Sequence, residues 1–386
     1  MADYPRSAQK TKGTEAENAY GIAQSTLYLT STPFPESQNA GDEARVSELL
    51  EGRQTGKRLQ EQYLASLSDE RLLLPTDREL NWSGRGQHVT FGRDEKLPLQ
   101  VIANIGHGTF GSVDRVLCRR IALARKAIKV RPAKLKESVQ EVAHLQRLRR
   151  FHIVQLVGTY LQGPSLIILM YPVAGCDLQN NFEETTSISD TSRLSFLAST
   201  LGCLSSALRY LHINMTNYLD IKPASILIRR FETDAKLWRV YLVDFGISPI
   251  WITPANNLTI GSWYITPRYG APGASSYVHS PASDIFSLGC AYVEILSVCA
   301  GHALADLKIF LFKEERECYF EAYWKVMTGI DDYLHNNTRG RDLDDVNVLL
   351  GNLKRTFDMD KESRPTAREL RRLFASLPPM SPFGAL

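Results

Sequence analysis

The sequence predicts an α+β fold in two lobes, a small strand-rich N-terminal lobe with one helix and a larger, mainly helical C-terminal lobe. Three observations predict it. Between Leu97 and Tyr171, short apolar runs of strand length alternate with turn residues, and one helical repeat interrupts them. After Asp177 the leucines move to three-and-four spacing, the period of a helix buried on one face. The length of 386 residues, 44% hydrophobic and 23% charged, suits one large two-lobed domain with an extension.

Taken in order, residues 1–96 form the extension. Its first 43 residues are polar and aperiodic, and the tract "LTSTPFPESQNAGDEA" reads as a linker or disordered arm. From Glu43 to Leu67 apolar residues recur (Val46, Leu49, Leu50, Leu59, Tyr63, Leu64, Leu67), which predicts one or two short helices broken near Gly52 and Gly56. Regular order is expected from about Leu97. Residues 97–105 and 112–117 read as strands around a glycine turn, "ARKAIKV" as a third strand, 134–149 as a helix, and 153–161 and 166–171 as two further strands. The clearest helix is 191–212, where Leu194, Leu197, Leu201, Leu204, Leu208 and Leu211 keep one face. The domain is placed at 97–376, with 377–386 as a tail. The crevice between the lobes is the expected ligand site.

Composition excludes several classes. A net charge of +3 implies neither nucleic acid nor a membrane surface as partner. The six cysteines form no C-x-x-C pair and sit mostly in apolar runs, as buried thiols of a reducing compartment do. The start "MADYPRSAQKTKGTEAENAY" lacks the apolar core of a signal peptide, so an intracellular protein, cytoplasmic or nuclear, is expected. The longest apolar run, from Phe286, carries Glu294 and is too short to span a bilayer.

Four stretches carry chemistry. "IGHGTFGSV" (Ile105–Val113) sets Gly106, Gly108 and Gly111 between strands, where backbone N–H groups can approach phosphate oxygens; an ordinary hairpin is the alternative. A strand after the loop, where a dinucleotide site has a helix, argues against that class. "KAIK" offers Lys129, with Ala127 on the same strand face. In "ESVQEVAHLQRLRR", Glu141 shares a helical face with Leu145 and Leu148, and an acid in that stripe needs a cation, for which Lys129 is the candidate. "YLVDFGIS" places Asp244 at a strand exit, where a carboxylate can hold Mg2+ beside substrate phosphates.

In this order and spacing, with D-x-K-P at Asp220–Pro223, the pieces resemble the eukaryotic protein-kinase family of Ser/Thr type. The resemblance covers about residues 97–376. "TPRYGAP" (Thr266–Pro272) resembles the end of the activation segment, "SDIFSLG" the anchor of the central helix with Asp284 as its aspartate, and "SRPTAREL" a late block with Arg364 as its arginine. It implies ATP and Mg2+ (or Mn2+) as cofactors and a protein substrate with a Ser or Thr acceptor. Asp220 matches the residue that accepts the substrate hydroxyl proton, Lys222 the lysine on the transferred phosphoryl group, and Thr266 the threonine bridging them. Lys129 and Glu141 match the ion pair on the ATP phosphates, and Asp244 the principal metal ligand. The implied nucleotide site comprises Ile105, Gly106, His107, Gly108, Thr109, Phe110, Gly111, Val113, Ala127, Lys129, Met170, Tyr171, Val173, Leu227 and Asp244, with Met170 beside the hinge.

Four positions depart from the family pattern. Tyr218 replaces the histidine of H-R-D, and can offer an aromatic body and a hydroxyl in its place. Leu219 replaces the arginine that reads a phosphate on the activation segment, so that switch is lost. Ser225 replaces an asparagine and is a shorter, poorer second metal ligand. Gly273 replaces the glutamate that pairs with the arginine matched by Arg364. Two functions follow as expectations: an ATP-dependent protein serine/threonine kinase with attenuated turnover, or a pseudokinase serving as a nucleotide-binding or scaffolding module.

Overall fold

The computed structural model describes residues 39–108, 111–183, 191–231, 238–245, 259–260, 266–272, 278–299, 304–305 and 351–376. In chain order the elements are α1 (Asn39–Asp69), β1 (His88–Phe91), β2 (Gln100–Gly108), β3 (Gly111–Cys118), β4 (Ile121–Lys129), α2 (Pro132–Arg147), β5 (Gln155–Gln162) and β6 (Ser165–Tyr171). Then come β7 (Cys176–Asp177), α3 (Leu178–Glu183), α4 (Thr191–Ile213), β8 (Ile226–Arg230), β9 (Trp238–Leu242), β10 (Thr259–Ile260), β11 (Val278–His279), α5 (Pro281–Cys299) and α6 (Ala367–Ser376). The first six strands form one sheet in the order β1-β5-β6-β4-β3-β2, and β7-β8-β9 and β10-β11 form small separate sheets. The expected α+β division into a strand-rich and a helical part is the one observed. Among the described residues no helix is long and apolar enough to cross a membrane.

The helical part is built as its leucine pattern requires. Leu197, Leu201, Leu204, Leu208 and Leu211 of α4 are fully buried, and α4 packs against α5 and α6. Tyr292 of α5 donates its hydroxyl to the Leu201 carbonyl at 2.6 Å. The polar tip of a buried aromatic thereby finds a partner.

The extension departs from expectation. One helix, α1, runs through Gly52 and Gly56 where a break was expected. A glycine costs a helix roughly 1 kcal/mol relative to alanine, and the burial of Leu59, Tyr63 and Leu67 one turn further on offsets it. Order does not wait for Leu97 either. β1 adds a parallel sixth strand, with His88 opposite Thr159 and Phe91 opposite Gln162. Trp82 donates its indole N–H to the Gln87 carbonyl at 2.9 Å, and Thr159 donates its backbone N–H to the same oxygen at 3.0 Å. Gly158 is required here, because a Cβ would lie 2.3 Å from that carbonyl.

His88 is buried, and its Nδ1 is 2.7 Å from the Thr159 hydroxyl. Burial lowers its pKa from 6.5 to about 4, against the opposing pull of Gln146 and Glu79. The unfolded chain therefore binds a proton that the folded chain refuses between those two values, and stability falls as pH drops from 6.5 towards 4. The slope from this residue is roughly 1.4 kcal/mol per pH unit. Melting temperatures measured across that window should fall more steeply for the native chain than for a His88→Gln variant; parallel curves would refute this origin.

The β3–β4 hairpin closes through a two-residue connection, Arg119–Arg120, with Cys118 opposite Ile121. Arg119 takes a positive φ of 56°, as tight hairpin turns demand. The turn fixes the register down to Val113 opposite Lys126 and Ser112 opposite Ala127. Alternation then sorts the faces of β4. Ile128 packs into the main core together with α2, whereas Leu123 and Ala127 belong to a second apolar cluster with Trp82, Phe91 and Tyr160.

Candidate active site

The sequence assigned the strand lysine to the wrong face. Lys126, not Lys129, meets Glu141: its Nζ donates to Glu141 Oε1 at 3.1 Å and to Asp244 Oδ1 at 3.3 Å. The Lys126 side chain is only 8% exposed. Lys129 is exposed and lies three residues on, an odd step that puts it on the face of Leu123 and Ala127. Ala127 is displaced for the same reason; the small residue two before the buried lysine is Ala124, itself buried and opposite Met170. Burial acts against the charge of Lys126, but Glu141 and Asp244 outweigh it and raise the ammonium pKa above its ordinary value. The lysine is a fixed cation held between two acids.

A second constellation forms on the loop before β8. Asp220 Oδ1 accepts from the Thr266 hydroxyl at 2.7 Å and from its backbone N–H at 3.2 Å. Lys222 Nζ bonds the other Asp220 oxygen and donates to the Thr266 hydroxyl at 2.8 Å. The three residues read as a set in the sequence are thus joined in a closed triangle.

The loop is held from below by Asp284, which is fully buried at the start of α5. Its carboxylate accepts the backbone N–H groups of Tyr218 at 2.9 Å and Leu219 at 2.8 Å, with His212 Nε2 at 3.0 Å. Leu219 is buried and has φ of 72°, a left-handed conformation that a branched side chain adopts only when its surroundings impose it. Tyr218 donates its hydroxyl to the Val243 carbonyl, and its ring meets Phe245 edge-on at 5.3 Å. It therefore braces the turn that presents Asp244, which also has a positive φ, 63°.

Ser225 is 1% exposed. Its Oγ accepts the Lys222 N–H at 3.1 Å and lies 3.0 and 2.9 Å from the Asp220 and Lys222 carbonyl oxygens. That hydroxyl closes the loop and does not face a ligand, so it does not fit a second metal. Asp244 does fit one. Its side chain is 59% exposed beside the buried Lys126 ammonium, a carboxylate and a cation side by side as a metal-bound polyphosphate needs.

Arg364 replaces the missing acid with other acceptors. Its Nε donates to the Asp358 carbonyl at 2.8 Å, its guanidinium to the Ala282 carbonyl at 3.0 Å, and it stacks over Phe286 at 5.3 Å. The segment after Thr266 is tied to α5 instead by Glu294, which accepts from Arg268 at 3.0 Å and the Tyr269 hydroxyl at 3.1 Å. This accounts for an acid in the most apolar run of the chain. Gly273 lies outside the described residues.

Of the expected nucleotide residues, Met170, Val113, Val173 and Leu227 are half-buried and Ile105 and Tyr171 are exposed. Gly111 has φ of 140° and approaches β4 so closely that a Cβ would lie 1.9 Å from the Ala127 carbonyl oxygen. Gly106 has open space around it. His107 and Gly108 end β2; Thr109 and Phe110 lie outside the described residues.

A family model described as the protein kinase domain matches residues 99–372. Among curated relatives, the serine/threonine-protein kinase pakE of Dictyostelium discoideum is 29% identical over 225 residues, 57% of this chain and 22% of that protein. Mitogen-activated protein kinase kinase kinase 6 of Homo sapiens is 32% identical over 199 residues, 50% of this chain and 15% of that protein. Cell division control protein 2 homolog 2 of Trypanosoma brucei brucei is 27% identical over 251 residues, 62% of this chain and 68% of that protein. The chain thus spans a small part of the first two and about two thirds of the third.

Proposed function

Since the chain belongs to the protein kinase family, we propose that it transfers the γ-phosphoryl group of ATP to serine or threonine hydroxyls of a protein substrate. The observation that carries the reading is the closed Asp220–Lys222–Thr266 triangle, a few residues along the chain from the loop that Tyr218 braces against the Asp244 turn. ATP with Mg2+ supplies, when bound, the transferable group and a counter-charge to its phosphates. Lys126 is the fixed cation for those phosphates, with Glu141 holding its direction. Asp244 is the metal ligand. Asp220 accepts the proton of the attacking hydroxyl as its oxygen bonds to phosphorus and the bond to the bridging oxygen breaks. Lys222 stabilises the charge on the transferring group, and Thr266 keeps the acid and the lysine together.

Labelled ATP with Mg2+ or Mn2+ and a generic acceptor protein provides the test, beside an Asp220→Asn control. Transfer that disappears in the control is expected; equal background in both overturns the enzyme reading. A second reading, a nucleotide-binding module without catalysis, draws on Ser225, whose hydroxyl serves the loop. An ATP-dependent rise in melting temperature without transfer is its signature. If the second metal limits the rate, Ser225→Asn should increase metal-dependent turnover about tenfold or more; an unchanged rate would sink that account.

A further inference from the structure

Buried side chains of the N-terminal extension share the main core with α2, the helix that carries Glu141. Tyr63 and Leu67 are fully buried, and with Leu59 and Leu72 they belong to one continuous core that includes Val139, Val142 and Ala143 of α2. Helical spacing sets Val139, Ala143 and Gln146 on one face of α2, roughly opposite Glu141. Polar contacts tie the extension both to β5, on which α2 packs, and to α2 itself. The Tyr63 hydroxyl is 2.6 Å from the Thr159 hydroxyl, which His88 also reaches at 2.7 Å. Gln87 donates its amide to Gln146 Oε1 at 3.3 Å, and Gln140 donates its amide to Glu70 Oε1 at 3.2 Å. The two residues of α2 held this way stand on either side of Glu141 in the chain.

We propose that residues 59–88 are a built-in positioning element for α2, keeping Glu141 on Lys126 without a phosphate on the activation segment. Because it concerns how the proposed phosphoryl-transfer site is held together, it rests on that reading. Two facts require such an element. Leu219 carries no charge with which to read a phosphate. The Lys126–Glu141 pair is formed at 3.1 Å. The extension supplies what that switch would otherwise supply, and supplies it permanently. Tyr63, Leu67 and His88 are not among the residues assigned to nucleotide or acceptor; Tyr63 and His88 act through Thr159 of β5, on which α2 packs.

The test uses the full chain. Hydrogen exchange of the α2 amides is measured without nucleotide, and ATP affinity separately, for Leu67→Ala, Tyr63→Phe and a control, Leu370→Ala. Leu370 is equally buried but sits on α6. In Leu67→Ala, α2 should exchange about tenfold faster while α4 keeps its protection, and ATP affinity should fall about tenfold. Leu370→Ala should lower the melting temperature while leaving α2 exchange and ATP affinity unchanged, a split that a merely structural role would not produce. Should Leu67→Ala fail to fold, Tyr63→Phe, which loses one hydroxyl, should still speed α2 exchange about threefold. Unchanged α2 exchange in the folded variants, or equal effects of Leu67→Ala and Leu370→Ala, overturns the proposal. A native chain that neither binds ATP nor transfers phosphate defeats the phosphoryl-transfer reading alone, since the exchange comparison does not depend on it.

Discussion

Lys126→Met should lower phosphoryl transfer by about 100-fold or more, while Lys129→Met changes it less than about twofold. The two lysines stand three apart on one strand, so the comparison isolates position from chemistry. Lys126 loses its ammonium between Glu141 and Asp244, and both acids are then left without their shared cation. Methionine keeps the length and the apolar stem, so the fold should survive, although a buried carboxylate beside a neutral side chain costs stability as well. Lys129 is solvated, and its removal leaves the Lys126–Glu141 and Lys126–Asp244 pairs in place. Equal losses from the two variants would overturn the assignment of Lys126. The readout is initial rate at saturating and at limiting ATP.

Asp284→Asn should be strongly destabilising. The carboxylate is fully buried and receives two backbone N–H groups and His212. An asparagine turns its own N–H groups towards one of those donors, leaving buried donors facing each other. A loss of roughly 3–5 kcal/mol is expected, which lowers Tm by about 4–6 °C at this chain size. The left-handed conformation of Leu219 depends on those bonds, so residual activity in the folded fraction should fall too. A Tm within about 2 °C of the native value would show that the loop has other support.

The division into a strand-rich and a helical part was legible because periodicity reports burial directly: α4 buries Leu197, Leu201, Leu204, Leu208 and Leu211 of the leucines that its spacing marks. Asp220, Lys222 and Thr266 were legible as a set, and they meet as expected. Lys129 was misjudged because two lysines lie in one short strand and face opposite ways. A signal did exist. A two-residue turn at Arg119–Arg120 sets Lys126 across from Val113, whereas counting on to Lys129 runs past Gly111, where β3 begins. The extension was underread for another reason. Tyr63, Trp82 and His88 bond with residues about 70 positions or more away, or through backbone carbonyls, and local pattern cannot show that. The recurring apolar residues Leu59, Tyr63 and Leu67 were its local trace, and they mark the helix without showing what it packs on. The role of Glu294 was hidden in the same way, since only the fold brings Arg268 and Tyr269 to it.

The Arg119–Arg120 turn has a consequence for how this chain can vary over descent. Its residues are exposed and make no contact with the cleft, so their identity is free to drift. Its length is not. One residue gained or lost there, unless a bulge absorbs it, rotates every side chain of β4 to the other side of the sheet. The buried ammonium would then point away from Glu141, and an acid pair would be left in its place. Substitutions at this surface corner should be silent, while a single-codon insertion should be as damaging as deleting the lysine itself.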